Sequence, residues 1–309
     1  MIILDKNTAK AEIDNTDYFD RMSSVEINYR VKSIHSYYPM LSNIWNIRDL
    51  YKSLILDFTQ EEKNAIYYYH NIVDFQFKNK LPALYPDGRY IKYMKLSQNV
   101  DWNYPYTINR VVVIPQKLAK NMVDNLIIDR KQNTVPSLFV WNLVRPNFSA
   151  VNYIANIICH EWIHIAQRYA YYTSLGSKLD EIYQQSWGFV RELPPAGLYK
   201  KYDINPLYIT NPDAENGEWS IYIKAKKYYP ILTLDRKTKM PDGMLLDKSN
   251  MHTYDYTKEY INKFYGLQHQ LYHPAEIFAH LVANYIINNK TGITTWNATN
   301  FFYRLNSFI

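Results

Sequence analysis

Cysteine and glycine are scarce in this chain, which has one cysteine and eight glycines among its 309 residues. A single cysteine excludes an internal disulfide framework and every zinc finger that needs paired cysteines. The predicted role of that residue, Cys159, is therefore that of a small buried hydrophobic side chain.

Long apolar runs are missing as well. No window approaches the roughly 20 apolar residues that a membrane-spanning helix needs, so we expect no membrane partner. The apolar run within residues 1–6 is too short for a secretory signal peptide. These absences predict a soluble protein that is made in a reducing compartment.

The basic residues, whose excess gives a net charge of +6, are scattered along the chain. Their one short run, Lys224, Lys226 and Lys227, is too narrow for a nucleic-acid footprint, and no RNA-binding aromatic motif appears. We therefore expect no nucleic-acid partner. With 47% hydrophobic and 21% charged residues, the composition is that of a globular chain.

One short motif has the spacing of a metal site: His160-Glu161-Trp162-Ile163-His164. Residues four apart on a helix lie on one face, with Cβ atoms about 5–6 Å apart. Two imidazoles at that spacing can hold one zinc ion through bonds of about 2.0–2.1 Å. Glu161 projects beside them, where a carboxylate can take a proton from an activated water.

The residues around the motif predict the helix that it requires. Ser149 is the predicted N-cap and Gly176 the predicted end. The alternative is a core helix that carries two hydrogen-bonded histidines and no metal. Apolar side chains recur at helical spacing, at Ile154, Ile157, Ile158, Ile165 and Ala166.

A catalytic zinc ion needs a third protein ligand. A third histidine six residues after the motif is excluded, because that position is Ala170. Glu276 is the predicted third ligand, in the first turn of a helix that begins at Pro274. The small Ala279 lets this helix approach another closely. His280, one turn later, can hydrogen-bond a metal ligand, or it can replace Glu276 as the ligand.

Stabilising a developing oxyanion takes a further hydrogen-bond donor. Tyr272, His269 and His273 are near enough to Glu276 in the sequence to supply one. We predict Tyr272 and His269 for this role. For each of them alone, an ordinary packed or surface residue is the alternative.

Strand and helix patterns alternate after residue 80 and predict an α+β fold. This order favours a mixed β-sheet packed on the motif helix, with a helical C-terminal part. The predicted strands are residues 90–96, 110–114, 138–144, 218–224 and 229–234, and the further predicted helices are residues 117–129 and 274–289.

Cap and turn signals divide the chain. Thr59 and Glu62 form a capping-box pattern at the start of a helix. Pro241-Asp242-Gly243 predicts a turn in a loop-rich stretch. We expect a mainly helical N-terminal region at residues 1–80 and a catalytic domain at residues 81–309.

The site resembles that of the zincin metallopeptidases, specifically their glutamate-ligand type, the gluzincins. His280 stands where many gluzincins have an aspartate. The resemblance implies a mixed sheet above the metal helix and a polypeptide substrate along an edge strand. It is carried by the motif His160-Glu161-x-x-His164 and the run Glu276-x-Phe278-Ala279.

The abundance of Ile, Asn, Lys and Tyr is typical of an AT-rich genome. Four short runs carry a narrower similarity: Tyr104-Pro105-Tyr106-Thr107, Gln167-Arg168, Asn211-Pro212-Asp213 and His273-Pro274-x-Glu276. In these runs the chain resembles zincin-like proteins of large DNA viruses with AT-rich genomes. The resemblance implies a viral source and a cytoplasmic or virion-associated location.

These features predict hydrolysis of peptide bonds with Zn²⁺ as the cofactor. His160, His164 and Glu276 are the expected ligands. Glu161 is the expected general base, which passes its proton to the leaving amine. The alternative function is that of a zincin-fold protein with a structural role, for example in a virion, because a fold does not determine a function.

Overall fold

A computed structural model describes residues 1–132, 149–192, 208–211, 213, 219–235, 238–247, 249, 252–264, 271–288 and 301–305. These residues form helices and two β-sheets, which is the predicted α+β class. The helices are α1 (Lys6–Asp14), α2 (Ser24–Tyr37), α3 (Ile47–Ser53), α4 (Gln60–Lys80), α5 (Gln116–Gln132), α6 (Ser149–Ala170), α7 (Leu175–Trp187), α8 (Lys258–Lys263) and α9 (Pro274–Asn288). The strands are β1 (Ile2–Ile3), β2 (Ile55–Leu56), β3 (Lys92–Leu96), β4 (Tyr106–Ile108), β5 (Val111–Pro115), β6 (Phe189–Arg191), β7 (Trp219–Ile223), β8 (Lys226–Leu234), β9 (Pro241–Asp247) and β10 (Thr253–Tyr254).

The first sheet is mixed and has the order β1-β3-β5-β4, with β2 also paired to β3. Strands β3 and β5 are parallel, from Lys92 opposite Val111 to Leu96 opposite Pro115. Strand β4 is antiparallel to β5 and lies at the edge of the described sheet. The N-terminal segment contributes the short strands β1 and β2 as well as helices.

Both faces of the first sheet are covered. Val112 and Ile114 of β5 belong to the core formed with α4, α5 and α6. Val111 and Val113 point the other way, into a core formed with α1, α2 and α3. Burial on both faces explains why β5 is a continuous apolar run and does not alternate with polar residues.

The second sheet is antiparallel, with the order β10-β9-β8-β7-β6. Strands β7 and β8 confirm the predictions for residues 218–224 and 229–234. Likewise, β3, β5 and α5 confirm the predictions for residues 90–96, 110–114 and 117–129. The strand predicted at residues 138–144 lies outside the described residues. The division between residues 1–80 and 81–309 stays a prediction.

Two predictions about glycines are wrong. Helix α6 ends at Ala170, and Gly176 lies in the first turn of α7. A Cβ at Gly176 would lie 2.7 Å from the Tyr171 ring, so the glycine permits a close contact instead of ending a helix. Gly243 belongs to β9 and not to a turn. A Cβ there would collide with the Tyr256 hydroxyl, so the glycine permits that side chain to approach the strand closely.

Helices α6 and α9 pack side by side and carry the candidate site between them. Pro274 is the first residue of α9, as predicted, where its missing N–H costs nothing. Ala279 is fully buried in the core that includes residues of both helices. Farther along, Asn156 Nδ2 of α6 donates to Asn284 Oδ1 of α9 at 3.0 Å.

Outside the motif, the buried side chains described on α6 are apolar apart from Gln167 and Arg168. Cys159 is 0% exposed, which confirms its prediction as a buried hydrophobic residue. Burial raises the pKa of its thiol, because the thiolate would lose its hydration. Among the described helices, none is both long enough and apolar enough to cross a membrane.

Candidate metal centre

Trp162 fixes the orientation of α6 on the first sheet. Its indole Nε1 donates to the Tyr93 hydroxyl of β3 at 2.9 Å. That hydroxyl lies 3.2 Å from Nδ1 of His70 on α4. Trp162 is two residues from each motif histidine, which corresponds to about 200° around the helix. The two histidines therefore lie on the side of α6 opposite to the one that Trp162 anchors.

The buried His70 predicts an acid-sensitive step in stability. Burial lowers the pKa of His70 from 6.5 to about 4. Between pH 6.5 and about 4, His70 is protonated in the unfolded chain but neutral in the folded chain. The stabilisation is therefore complete above pH 6.5 and is lost as the pH falls towards 4, by up to about 3 kcal/mol.

His70→Phe is expected to flatten this pH dependence, and urea unfolding of both proteins between pH 7 and about 4.5 measures it. Phenylalanine keeps a ring against Trp162, which the His70 ring meets at 4.8 Å. Tyr93 keeps its hydrogen bond from Trp162. Equal slopes of unfolding free energy against pH in the two proteins would contradict the prediction.

The three predicted ligands meet between α6 and α9. His160 Nε2 lies 3.1 Å from Glu276 Oε2, and His164 Nε2 lies 3.4 Å from the same oxygen. The two Nε2 atoms are 3.0 Å apart. Within the described part of the chain, these side chains form the group of three that is close enough to bind a metal ion.

The spacing of these atoms fits a small tetrahedral cation. Bonds of about 2.0–2.1 Å at the tetrahedral angle place two ligand atoms about 3.3–3.4 Å apart. The separations of 3.0, 3.1 and 3.4 Å are close to that value. Two imidazole nitrogens and one carboxylate oxygen also form a donor set that zinc accepts.

Gln167 fixes which nitrogen of His164 is free to bind a metal. Its Nε2 donates to the Ala275 carbonyl and to the Tyr183 hydroxyl, each at 3.0 Å. The other amide atom, Oε1, must then accept, and it lies 2.9 Å from His164 Nδ1. Nδ1 therefore carries the proton, and the lone pair of a neutral His164 is on Nε2, which faces Glu276.

The charges of the three side chains depend on one another. Burial opposes ionisation of Glu276, yet His164 and His160 hold its pKa well below the usual range. Burial lowers the pKa of His164, but the carboxylates of Glu276 and Asp213 outweigh it and raise the value to about 9. The pocket thus favours positive charge next to Glu276, which a proton or a metal ion can supply.

Glu161 lies beside this group and is 4% exposed. Within the described residues, its Oε2 has no hydrogen-bond partner. Burial and the nearby Asp213 carboxylate raise the pKa of Glu161 well above its ordinary value. A metal ion bound nearby would instead lower the pKa of Glu161, because a cation favours the ionised carboxylate.

Asp213 occupies the outer edge of β4 close to Glu161. The Thr107 backbone N–H and hydroxyl both donate to Asp213 Oδ1, the N–H at 3.0 Å. Arg168 donates to the Thr107 hydroxyl and lies 3.7 Å from Asp213 Oδ1. A backbone donor of the edge strand, which would otherwise be available to an extended peptide, is therefore bound within the chain.

Tyr272, a predicted oxyanion donor, lies next to the candidate ligand Glu276. Its hydroxyl accepts from Asn211 Nδ2 at 2.8 Å and donates its own proton towards the Glu276 carboxylate. Burial and the Glu276 carboxylate raise the pKa of Tyr272 well above its usual value, so the hydroxyl stays protonated. The same Asn211 nitrogen donates to Glu276 Oε1 at 2.6 Å.

The other histidines near the site have different placements. His273 Nδ1 accepts from the Ala275 N–H at 3.1 Å and so caps the first turn of α9. The His280 ring lies beside the His160 ring, with centroids 6.5 Å apart. The group that is close enough to bind one cation contains Glu276 and not His280. His269 lies outside the described residues.

No known protein family, curated protein or solved structure matches this chain. The chemistry of the site must therefore be derived from its own residues.

The sequence did not assign a role to several polar residues of the site. Gln167 could have been found, because a residue three positions after His164 lies on nearly the same helix face. Asn211 and Asp213 approach from a segment far from both helices in sequence, and no local periodicity connects them to the motif.

Proposed function

We propose that this chain is a zinc-dependent metallopeptidase of the gluzincin type, with a mixed sheet above the metal helix. The observation that carries the proposal is the spacing of His160, His164 and Glu276 around one point. The proposal is further supported by Glu161 Oε2, which lies beside them and has no hydrogen-bond partner among the described residues. Three lone-pair atoms this close repel one another unless a proton or a metal ion lies between them, and a metal ion meets that need for all three at once.

The proposed reaction is hydrolysis of a peptide bond by water. When bound, zinc supplies a Lewis acid that acidifies water and polarises the scissile carbonyl. Glu161 accepts a proton as the water oxygen bonds to the carbonyl carbon, and it returns that proton to the amine as the C–N bond breaks. Tyr272 donates its hydroxyl proton in a hydrogen bond to the oxygen that becomes negative.

The proposed substrate is a polypeptide in an extended conformation along β4. Backbone pairing with an edge strand recognises a peptide without requiring a particular side chain. At Thr107, the peptide has to replace the contact with Asp213. The viral source and the cytoplasmic or virion location stay predictions.

Metal content and cleavage test this function together. The purified full chain is expected to hold one zinc ion per molecule and to cleave members of a random peptide library. Removing zinc with a chelator should stop cleavage, and adding zinc back should restore it. New amino termini, identified by mass spectrometry, report the cleavage.

Two results would overturn the proposal. A chain that binds no zinc lacks the proposed cofactor. A chain that holds zinc at these three residues, but hydrolyses no peptide across a range of pH, has instead the structural role given above as the alternative function.

A further inference from the structure

Asn211 holds the Glu276 oxygen that does not face the histidines. Oε2 of Glu276 is directed at the two imidazoles, whereas Oε1 accepts from Asn211 Nδ2 at 2.6 Å. One carboxylate oxygen is thereby reserved for the metal position, and the other is occupied. A carboxylate held in this way is directed to bind a cation through a single oxygen.

The orientation of the Asn211 amide is set by its partners. The Asp213 backbone N–H, which can only donate, lies 3.0 Å from Asn211 Oδ1. The nitrogen must therefore be the atom that faces Glu276 and the Tyr272 hydroxyl. A flipped amide would lose a bond at each end.

The segment of residues 208–211 reaches the site from two anchors. On one side it joins the second sheet: Tyr208 bridges to Thr233, and the Ile209 N–H donates to the Leu232 carbonyl at 3.0 Å. On the other side it is bound by α2, in the N-terminal helical part of the chain.

Helix α2 binds Thr210 through a buried ion pair. The Thr210 N–H lies 3.0 Å from each Glu26 carboxylate oxygen, and its hydroxyl donates to Glu26 Oε2 at 2.9 Å. Arg30 donates to the Thr210 carbonyl at 3.3 Å and pairs with Glu26 at 2.7 Å. Side chains of α2 thus form hydrogen bonds with the backbone N–H, the carbonyl and the hydroxyl of Thr210.

Such a pair is better suited to setting position than to adding stability. Glu26 is 1% exposed and Arg30 4%, so both charges have lost their hydration. Buried ion pairs of this kind contribute little net free energy, but they tolerate few alternative geometries. The residue whose geometry they restrict is the immediate neighbour of Asn211.

We propose that Asn211 is a positioning residue of the metal centre, and that the Glu26–Arg30 pair of α2 sets its position through Thr210. The N-terminal helices then control metal affinity without supplying a ligand. This inference rests on the proposed function, because it assumes that Glu276 binds zinc.

A double-mutant cycle on zinc affinity tests the connection. Asn211→Ala is expected to weaken zinc binding by about 10–100-fold, the usual effect of losing a partner that orients a ligand. Thr210→Val removes the hydroxyl, which bonds Glu26 at 2.9 Å and lies 3.5 Å from the Arg21 carbonyl, and should weaken zinc binding several-fold. In the Asn211→Ala background, Thr210→Val should have almost no further effect, because its action passes through the missing amide.

The measurement is the zinc dissociation constant of the full chain, by competition with a coloured chelator. Asn156→Ala is the matched control, since it removes a side-chain hydrogen bond between α6 and α9 that involves none of the proposed ligands. Thr210→Ser keeps the hydroxyl and should restore wild-type affinity. The visible spectrum of the Co²⁺-substituted protein should change for Asn211→Ala, whose Glu276 can turn, but not for Asn156→Ala.

The outcomes separate this inference from the proposed function. A wild-type chain that binds no zinc overturns the proposed function and removes the basis of the inference. A chain that binds zinc, with Asn211→Ala no weaker than Asn156→Ala, overturns the inference alone. Equal losses from Thr210→Val in both backgrounds would show a general structural effect and would also overturn it.

Discussion

Glu161→Gln is expected to keep its zinc and to lose about 10²–10⁴-fold in kcat for peptide cleavage, the usual contribution of a general base. Glutamine has nearly the same shape, so the buried side chain keeps its place beside the ligands. Its amide cannot accept the proton of the attacking water. Metal analysis and single-turnover cleavage of a fluorogenic peptide measure the two effects separately.

The matched control for this substitution is Gln185→Glu, an exposed change of the same size on α7 that makes no contact with the site. It should leave both metal content and kcat unchanged. A Glu161→Gln enzyme with wild-type kcat would show that another group takes the proton.

Glu276→Ala should weaken zinc binding by more than about a hundredfold, beyond the range seen when only an outer partner is lost. Zinc at a hundred times its dissociation constant stabilises a folded chain by about 2.7 kcal/mol. At that concentration, the variant should lose most of this gain. Urea unfolding with and without zinc measures the difference.

His280→Ala decides between the two candidates for the third ligand. Because the His280 ring stands beside His160 and outside the ligand group, its loss should cost less than about tenfold in zinc affinity. If His280→Ala lost the metal and Glu276→Ala kept it, the ligand assignment would be reversed.

Local patterns in the sequence predicted the parts of the fold that depend on nearby residues. The Thr59–Glu62 capping box is present at the start of α4, with both reciprocal bonds formed. The valine run of β5 predicted a strand, and the motif spacing predicted that His160 and His164 share a face. Each of these features is decided within a few residues, so it can be read from the sequence alone.

Features that depend on distant segments were harder to predict. Residues 1–45 show no clear periodicity, yet they form α1 and α2, whose polar caps at Asp5 and Ser23 set their starts. Strand β4 was missed because its three residues are too few to show alternation. Gly243 was interpreted as part of a turn, because the ring that approaches it, Tyr256, belongs to a later segment of the chain. Gly176 was interpreted as a helix end, although the ring that approaches it, Tyr171, is only five positions earlier.

The candidate site divides in the same way. Helix spacing and a first-turn glutamate were enough to predict that His160, His164 and Glu276 meet. The amide contacts of Gln167 with Ala275, and of Asn211 with Glu276, depend on how three separate segments pack together. Contacts between distant segments produce no periodic pattern in the sequence, so they cannot be predicted from any one segment alone.

Cys159 can report local opening of α6. Its thiol is fully buried one residue before His160, and it is the only sulfhydryl in the sequence. An alkylating reagent reaches it when α6 separates from its neighbours or when the whole chain unfolds. A labelling rate faster than global unfolding therefore measures how often the helix that carries His160 and His164 opens by itself.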